Sequence, residues 1–205
     1  MTIEYLYNTF RRCLNLNYTT VENDASFYYE RNAGTLRIFF EPSNGKKDWI
    51  SNFNFPAKPY RDMKDKWRCH RGFLKVWKSA EPYLKEQIMD PTVRKIDIAG
   101  YSHGGAIALL CHEYVKFNRP DVELRSVGYA APRALWGFPN KNVMSRFEGF
   151  LTIRNWNDIV TKVPPKWLGY RQAGDLMILQ IGERTGGIKS HYPDGYLASL
   201  KEISK

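Results

Sequence analysis

Residues 95–110 join three kinds of sequence without a spacer. Lys95-Ile96-Asp97-Ile98-Ala99 is a short apolar strand pattern, Gly100-Tyr101-Ser102-His103-Gly104-Gly105 is a glycine-rich turn, and Ala106-Ile107-Ala108-Leu109-Leu110 opens an apolar helix. No other stretch limits the fold so strongly, because a strand that runs straight into an apolar helix asks for a sheet with that helix packed on it. The turn carries G-x-S-x-G as Gly100, Ser102 and Gly104. A strand–turn–helix of this kind holds its serine in a strained conformation. Side chains at the flanking positions would collide with the neighbouring strand or helix, and glycine removes those collisions. Gly105 extends the small-residue run and lets the helix approach the sheet. The helix N-terminus adds free N–H groups and positive partial charge, which favour negative charge developing nearby. A phosphate-binding loop would also use a glycine-rich turn, but the lysine such a loop requires is absent.

The rest of the chain fits the same architecture. Ile3, Leu6, Tyr7, Phe10 and Leu14 have helical spacing. Phe27–Arg31 and Leu36–Phe40 read as strands joined by Asn32-Ala33-Gly34, and residues 48–55 as a further extended segment. A helix is expected from Phe73 to Met89, with Pro82 kinking or breaking it. Strand Lys95–Ala99, helix Ala106–Phe117 and strand Leu124–Ala130 alternate, and strands Phe150–Asn155 and Met177–Ile181 follow before a closing helix Gly195–Ile203. Alternation of this kind predicts an α/β fold with a mostly parallel central sheet flanked by helices. The later strands lack strong helical patterns between them, so part of the sheet there is expected to be antiparallel. No repeat, low-complexity tract or linker interrupts the chain, which reads as one domain over residues 1–205.

A serine hydroxyl becomes a good nucleophile only when a base takes its proton. In α/β-hydrolase architecture the partners follow in the order serine, acid, histidine. Of the four histidines, His70 precedes the turn, His103 adjoins Ser102 and cannot easily reach back, and His112 lies about three turns along the helix. His191 is left as the base. For the acid, Asp158 follows strand Phe150–Asn155 directly, at the sheet edge where such sites assemble. Asp175 begins a strand rather than ending one, and Asp194 is too near His191 in sequence to orient it comfortably. The N–H of His103 is an expected donor to an oxyanion.

With these residues placed, the chain resembles the class 3 lipases, the fungal-lipase-like α/β hydrolases. Gly100-Tyr101-Ser102-His103-Gly104-Gly105-Ala106 is similar to that family's elbow, Asn155-Trp156-Asn157-Asp158-Ile159-Val160 with Val163-Pro164-Pro165 to its acid segment, and Ser190-His191-Tyr192 to its histidine segment. Asp48-Trp49 with Asn52, and His70-Arg71-Gly72-Phe73, resemble two upstream signatures. The resemblance covers about residues 35–196. It implies an α/β-hydrolase fold and a serine hydrolase cleaving carboxylic esters of lipids through Ser102, Asp158 and His191. It also implies a structural role for His70, and a lid over about residues 56–68. The chain departs from the family at Phe40-Glu41-Pro42-Ser43, where arginine and glycine normally precede a serine or threonine of the oxyanion hole. Ser43 matches the polar position, but Pro42 has no N–H to donate.

Residues 56–68 carry Lys58, Arg61, Lys64, Lys66 and Arg68, with Tyr60, Met63 and Trp67 as the main apolar members. They read as an exposed basic loop, whereas a lid over a lipid site should present an apolar face; short-chain esters, or phospholipids at an anionic surface, are expected ahead of long-chain triglycerides. The formal charge of +10 favours anionic partners. A lipid or small ester and an anionic membrane surface are the expected partners, nucleic acid is not, and oligomeric state is left open. The rival from another class is a non-catalytic lipid- or nucleic-acid-binding module, using Tyr60, Trp67, Phe73 and Trp77 interleaved with basic residues over Lys58–Lys78. An acyltransferase could use the same triad. Cys13, Cys69 and Cys111 are odd in number and lack metal-ligand spacing, which excludes a disulfide framework, and Cys111 is expected to pack inside. No metal or organic cofactor is expected. Neither a secretory signal nor a membrane span is read in the sequence, so the expected location is cytoplasmic.

Overall fold

The computed structural model describes residues 1–42, 57–60, 67–181 and 186–204. The chain enters through helix α1 (Ile3–Asn15), capped by the Thr2 side chain, which accepts from the Tyr5 N–H. Strands β1 (Thr19–Val21), β2 (Ala25–Asn32) and β3 (Thr35–Phe40) follow as an antiparallel ribbon. Then come β4 (Ala57–Pro59), β5 (Arg68–His70), α2 (Arg71–Met89), β6 (Lys95–Tyr101), α3 (His103–Asn118) and β7 (Glu123–Tyr129). The last part holds β8 (Leu135–Trp136), α4 (Lys141–Ser145), β9 (Phe150–Asn155), β10 (Asn157–Asp158), β11 (Tyr170–Arg171), β12 (Asp175–Leu179), β13 (Gly186–Gly187) and α5 (Pro193–Ile203).

Among the described residues the central sheet has seven strands in the order β1-β2-β3-β6-β7-β9-β12. Each pair from β3 onward is parallel. The expectation of antiparallel late strands is therefore wrong, and the antiparallel part lies at the other edge, in β1 to β3. The reason is the nature of the crossovers. Between β7 and β9, and between β9 and β12, the chain returns to the same end through short strands, 3-10 turns and the single turn of α4. A parallel pair needs a connection long enough to return, and that connection need not be a regular helix.

Alternate residues of the central strands face two separate cores. Leu36, Ile38, Phe40, Ile96 and Ile98 pack with Phe73, Trp77, Leu84 and Ile88 of α2 and with α3. Phe39, Ala99, Tyr101, Val127, Tyr129 and Ile153 pack with Leu6, Phe10 and Cys13 of α1 and with Tyr196 and Leu200 of α5. Burial on both faces explains why these strands read as apolar runs. Helix α3 is buried from Gly104 to Val115, which explains its apolar character all round. Helix α2 runs through Pro82 without a break; that proline sits on the exposed side, where water can satisfy the carbonyl its missing N–H leaves.

A second, antiparallel sheet joins β11, β8, β5 and β4. It corrects the reading of residues 56–68 at both described ends. Tyr60 and Trp67 are buried and stacked with ring centroids 4.3 Å apart. The Tyr60 N–H donates to the Trp67 carbonyl at 3.0 Å, and the Tyr60 hydroxyl to the Leu110 carbonyl at 3.0 Å. The Trp67 ring also meets Phe147 edge-on at 5.4 Å, so two large rings leave water together. Met63 and the middle of the expected lid, like the extended segment 48–55, lie outside the described residues. Phe73 and Trp77 are buried as well, so the aromatic residues offered for a nucleic-acid surface belong to the core. All three cysteines are buried free thiols, as Cys111 was expected to be, and burial raises their pKa values.

Candidate active site

Strand β6 ends at Tyr101 and helix α3 begins at His103, leaving Ser102 alone on the bend with φ 55° and ψ −119°. Its N–H donates to the Tyr129 carbonyl at 2.8 Å, which anchors the turn to the end of β7. The glycines fit for lack of space. A Cβ on Gly100 would come within 2.2 Å of the Gly104 carbonyl oxygen, and one on Gly104 within 2.3 Å of the Phe40 oxygen and 2.7 Å of the Glu41 oxygen. The backbone strain at Ser102 is thus held in place by its neighbours, as strained functional positions require.

The three residues singled out by order and position meet at this bend. The Ser102 Oγ lies 2.9 Å from His191 Nε2, and His191 Nδ1 lies 2.9 Å from Asp158 Oδ2. Asp158 is wholly buried and Ser102 and His191 nearly so. Asp158 sits at the end of β10, just past β9, and its other oxygen accepts from the Val160 N–H at 2.9 Å. His191 ends a 3-10 turn, Lys189–His191, immediately before α5. An imidazole held between a hydroxyl and a buried carboxylate can accept the serine proton while the carboxylate stabilises the cation that forms. Asp175 begins β12 and Asp194 lies in the first turn of α5.

Two tyrosines missing from the sequence reading complete the cluster. The Tyr196 hydroxyl donates to Asp158 Oδ2 at 2.7 Å. Burial, and then the Asp158 charge, raise its pKa well above the usual value, so it remains a donor. Tyr101 stacks on the His191 ring at 5.3 Å, and its hydroxyl donates to the His191 backbone carbonyl. Tyr101 lay in view inside the elbow motif. Tyr196 gave no signal, because its reach to Asp158 depends on α5 docking beside β9.

The other histidines have structural partners. His70 Nδ1 caps α2 by accepting from the N–H groups of Gly72 and Phe73, at 3.1 and 3.3 Å. His112 Nδ1 pairs with Ser126 Oγ at 2.8 Å. The His103 ring packs edge-on to Phe73. Burial lowers the pKa of His70 and His103 to about 4 and that of His112 to about 3. The His103 backbone N–H opens α3, where first-turn donors lack helical partners. On the opposite side, the end of β3 runs against Gly104, but the Glu41 N–H is spent on the Ser26 carbonyl at 3.0 Å and Pro42 has none to offer. Ser43, the other expected oxyanion residue, lies outside the described residues.

A family model for the class 3 lipases matches residues 37–167, well over half the chain. The chain belongs to the class 3 lipase family. A lipase of Rhizomucor miehei is 26% identical over 156 residues, covering 69% of this chain and 40% of that protein. A secreted mono- and diacylglycerol lipase of Malassezia globosa is 26% identical over 121 residues, covering 54% of this chain and 35% of that protein. The chain therefore spans about two fifths or less of the curated relatives it matches. Among solved structures, the Rhizomucor miehei triacylglyceride lipase superposes with a TM-score of 0.68 at 23% identity, over 81% of this chain and 66% of that one. Lipase II of Rhizopus niveus superposes with a TM-score of 0.70 at 24% identity, over 81% and 66%. The fold of this class 3 lipase family member is the α/β-hydrolase fold, compact, with a mostly parallel sheet between two helical layers.

Proposed function

We propose that the chain hydrolyses carboxylic esters of lipids, with Ser102 as nucleophile, His191 as general base and Asp158 as the acid that orients it. The observation that carries this reading is the unbroken chain of 2.9 Å contacts from Ser102 through His191 to Asp158 at a strained elbow. Ser102 attacks the ester carbonyl as His191 takes its proton. The imidazolium then protonates the departing alcohol, and water admitted to the site cleaves the acyl-enzyme by the same relay. The His103 N–H stabilises the oxyanion from the helix side, and Ser43 is the proposed donor from the other. Lipids of anionic surfaces and short-chain esters are the proposed substrates, ahead of long-chain triglycerides. No helix among the described residues is long and apolar enough to cross a membrane. The cytoplasmic location belongs to the same proposal, and cell fractionation tests it.

The test is hydrolysis of p-nitrophenyl esters from acetate to palmitate by purified protein beside Ser102→Ala. The substitution is expected to lower kcat at least ~10⁴-fold. Equal turnover by both proteins removes Ser102 from the chemistry. The engaged Glu41 N–H and the imino nitrogen of Pro42 favour a second reading, a lipid-binding module without turnover. That reading requires no ester to be cleaved at any chain length while lipid is still bound.

A further inference from the structure

The two most exposed large aromatic side chains among the described residues are Phe138, 87% exposed, and Trp167, 82% exposed. They occupy adjacent turns of the small antiparallel sheet. Phe138 follows β8, and Trp167 lies in the 3-10 turn before β11, which pairs with β8. The turns are tied together. The Gly137 N–H donates to the Gly169 carbonyl at 2.9 Å, the Trp136 indole to the Leu168 carbonyl at 2.8 Å, and Arg171 Nε to the Gly137 carbonyl at 2.5 Å. Both aromatic residues are thus presented on a braced platform, and folding alone gives no reason to leave them in water.

The charge around them is mainly positive. Residues 130–172 contain seven basic side chains and two acidic ones, Glu148 and Asp158. Asp158 is buried against His191, so it offsets none of the surface charge. The Arg171 guanidinium lies 3.6 Å over the Phe138 ring. Lys166 adjoins Trp167, and Lys141 follows Phe138 and Pro139 at the start of α4; both lysines are exposed. Phe138, Pro139, Met144, Lys166, Tyr170 and Arg171 line one open cleft here.

A run of ring contacts, from Tyr170 of β11 through His70 and Phe73 to His103, the neighbour of Ser102, links the platform's sheet to the elbow. The segment carrying Trp167 begins directly after Asp158. Exposed Ile159, Ile188 and Tyr192 flank the acid and the base.

We propose that Phe138 and Trp167, with Lys141, Lys166 and Arg171 around them, form a docking surface for an anionic lipid bilayer, which delivers lipid esters to Ser102. The proposal rests on the lipid-ester reading for its purpose. Aromatic side chains sit at the headgroup level of a membrane, and the basic side chains meet the lipid phosphates. A patch with this pairing of aromatic and cationic groups suits charged headgroups and gives little to a zwitterionic surface.

The experiment is co-sedimentation of the full chain, as Ser102→Ala, with phosphatidylcholine vesicles and with phosphatidylcholine–phosphatidylglycerol vesicles. It needs no turnover, so its failure is separate from failure of the ester assay. Binding is expected only with phosphatidylglycerol. It should fall tenfold or more in Phe138→Ser/Trp167→Ser and in Lys141→Glu/Lys166→Glu, while a charge-matched pair elsewhere, Lys85→Glu/Lys201→Glu, changes it little. All six positions are exposed, so the fold should survive, and circular dichroism checks that it does. Equal loss in the two charge-swapped pairs overturns the proposal in favour of whole-molecule charge. Unchanged binding by the aromatic variant, equal binding to both vesicle types, or no binding to either also overturns it.

Discussion

Acidification from pH 7 to pH 5 should destabilise the fold before any ion-paired carboxylate is protonated. His70 and His112 are buried and His103 is partly buried, all as neutral rings, with pKa values lowered by desolvation to about 4, 3 and 4 from 6.5. The unfolded chain binds protons at these rings below pH 6.5 while the folded chain does not, so stability rises with pH across this window. The contribution is fully present above about pH 6.5 and is lost as pH falls toward the folded values. At pH 5 each ring has lost about 2 kcal/mol relative to pH 7, and the three together about 4–6 kcal/mol. That is a large part of the 5–15 kcal/mol typical of a domain. The carboxylates held low by Arg12, Arg31, Arg119 and Lys95, namely Glu30, Asp90, Asp121 and Glu123, have ordinary values of 3.8 to 4.5 and act below this window. His70 adds a local cause, because protonating Nδ1 abolishes its two bonds to the α2 N-terminus. Urea melts at pH 7, 6 and 5 measure the effect, and the midpoint should drop by about 2 M between the extremes. Removing one group with His112→Gln should flatten the slope by about a third. A midpoint constant to pH 5, with all loss below pH 4, would refute the argument.

Gly104→Ala places a Cβ 2.3 Å from the Phe40 oxygen, so β3 must move; a loss of about 3 kcal/mol is expected in urea melts, with ester activity lost alongside. Tyr196→Phe deletes one donor to Asp158 and no packing volume of note. A charged hydrogen bond is worth about 1.5–3 kcal/mol, so kcat should fall roughly 10- to 100-fold with KM unchanged. If KM rises while kcat holds, Tyr196 shapes the cleft rather than the acid.

The sequence carried the local parts of the site plainly. G-x-S-x-G between a strand and a helix is contiguous, and its steric demands are met by residues within four positions of one another. The end of β9 and the acid beyond it are nearly as local, and chain order left one histidine. Elsewhere the periodicity argument failed for identifiable reasons. The crossovers into β9 and β12 lack helical repeats, so their parallel pairing left no trace in the pattern. Tyr60 and Trp67 stand among lysines and arginines, and their burial depends on distant partners, Leu110 of α3 for the Tyr60 hydroxyl and Phe147 for the Trp67 ring.

Motif, strand pattern and chain order by themselves pointed to the fold class, the elbow and Ser102, Asp158 and His191 as the candidate triad, because each rests on a short-range rule about turns, strand ends or chain order. Tertiary structure alone decided that His191 comes within 2.9 Å of both a serine 89 positions away and an acid 33 positions away, and that Tyr196 joins them. It also spent the Glu41 N–H inside the sheet and left Phe138 and Trp167 in water. Such facts depend on which surfaces remain once two cores have closed around one sheet, and no local pattern encodes that outcome.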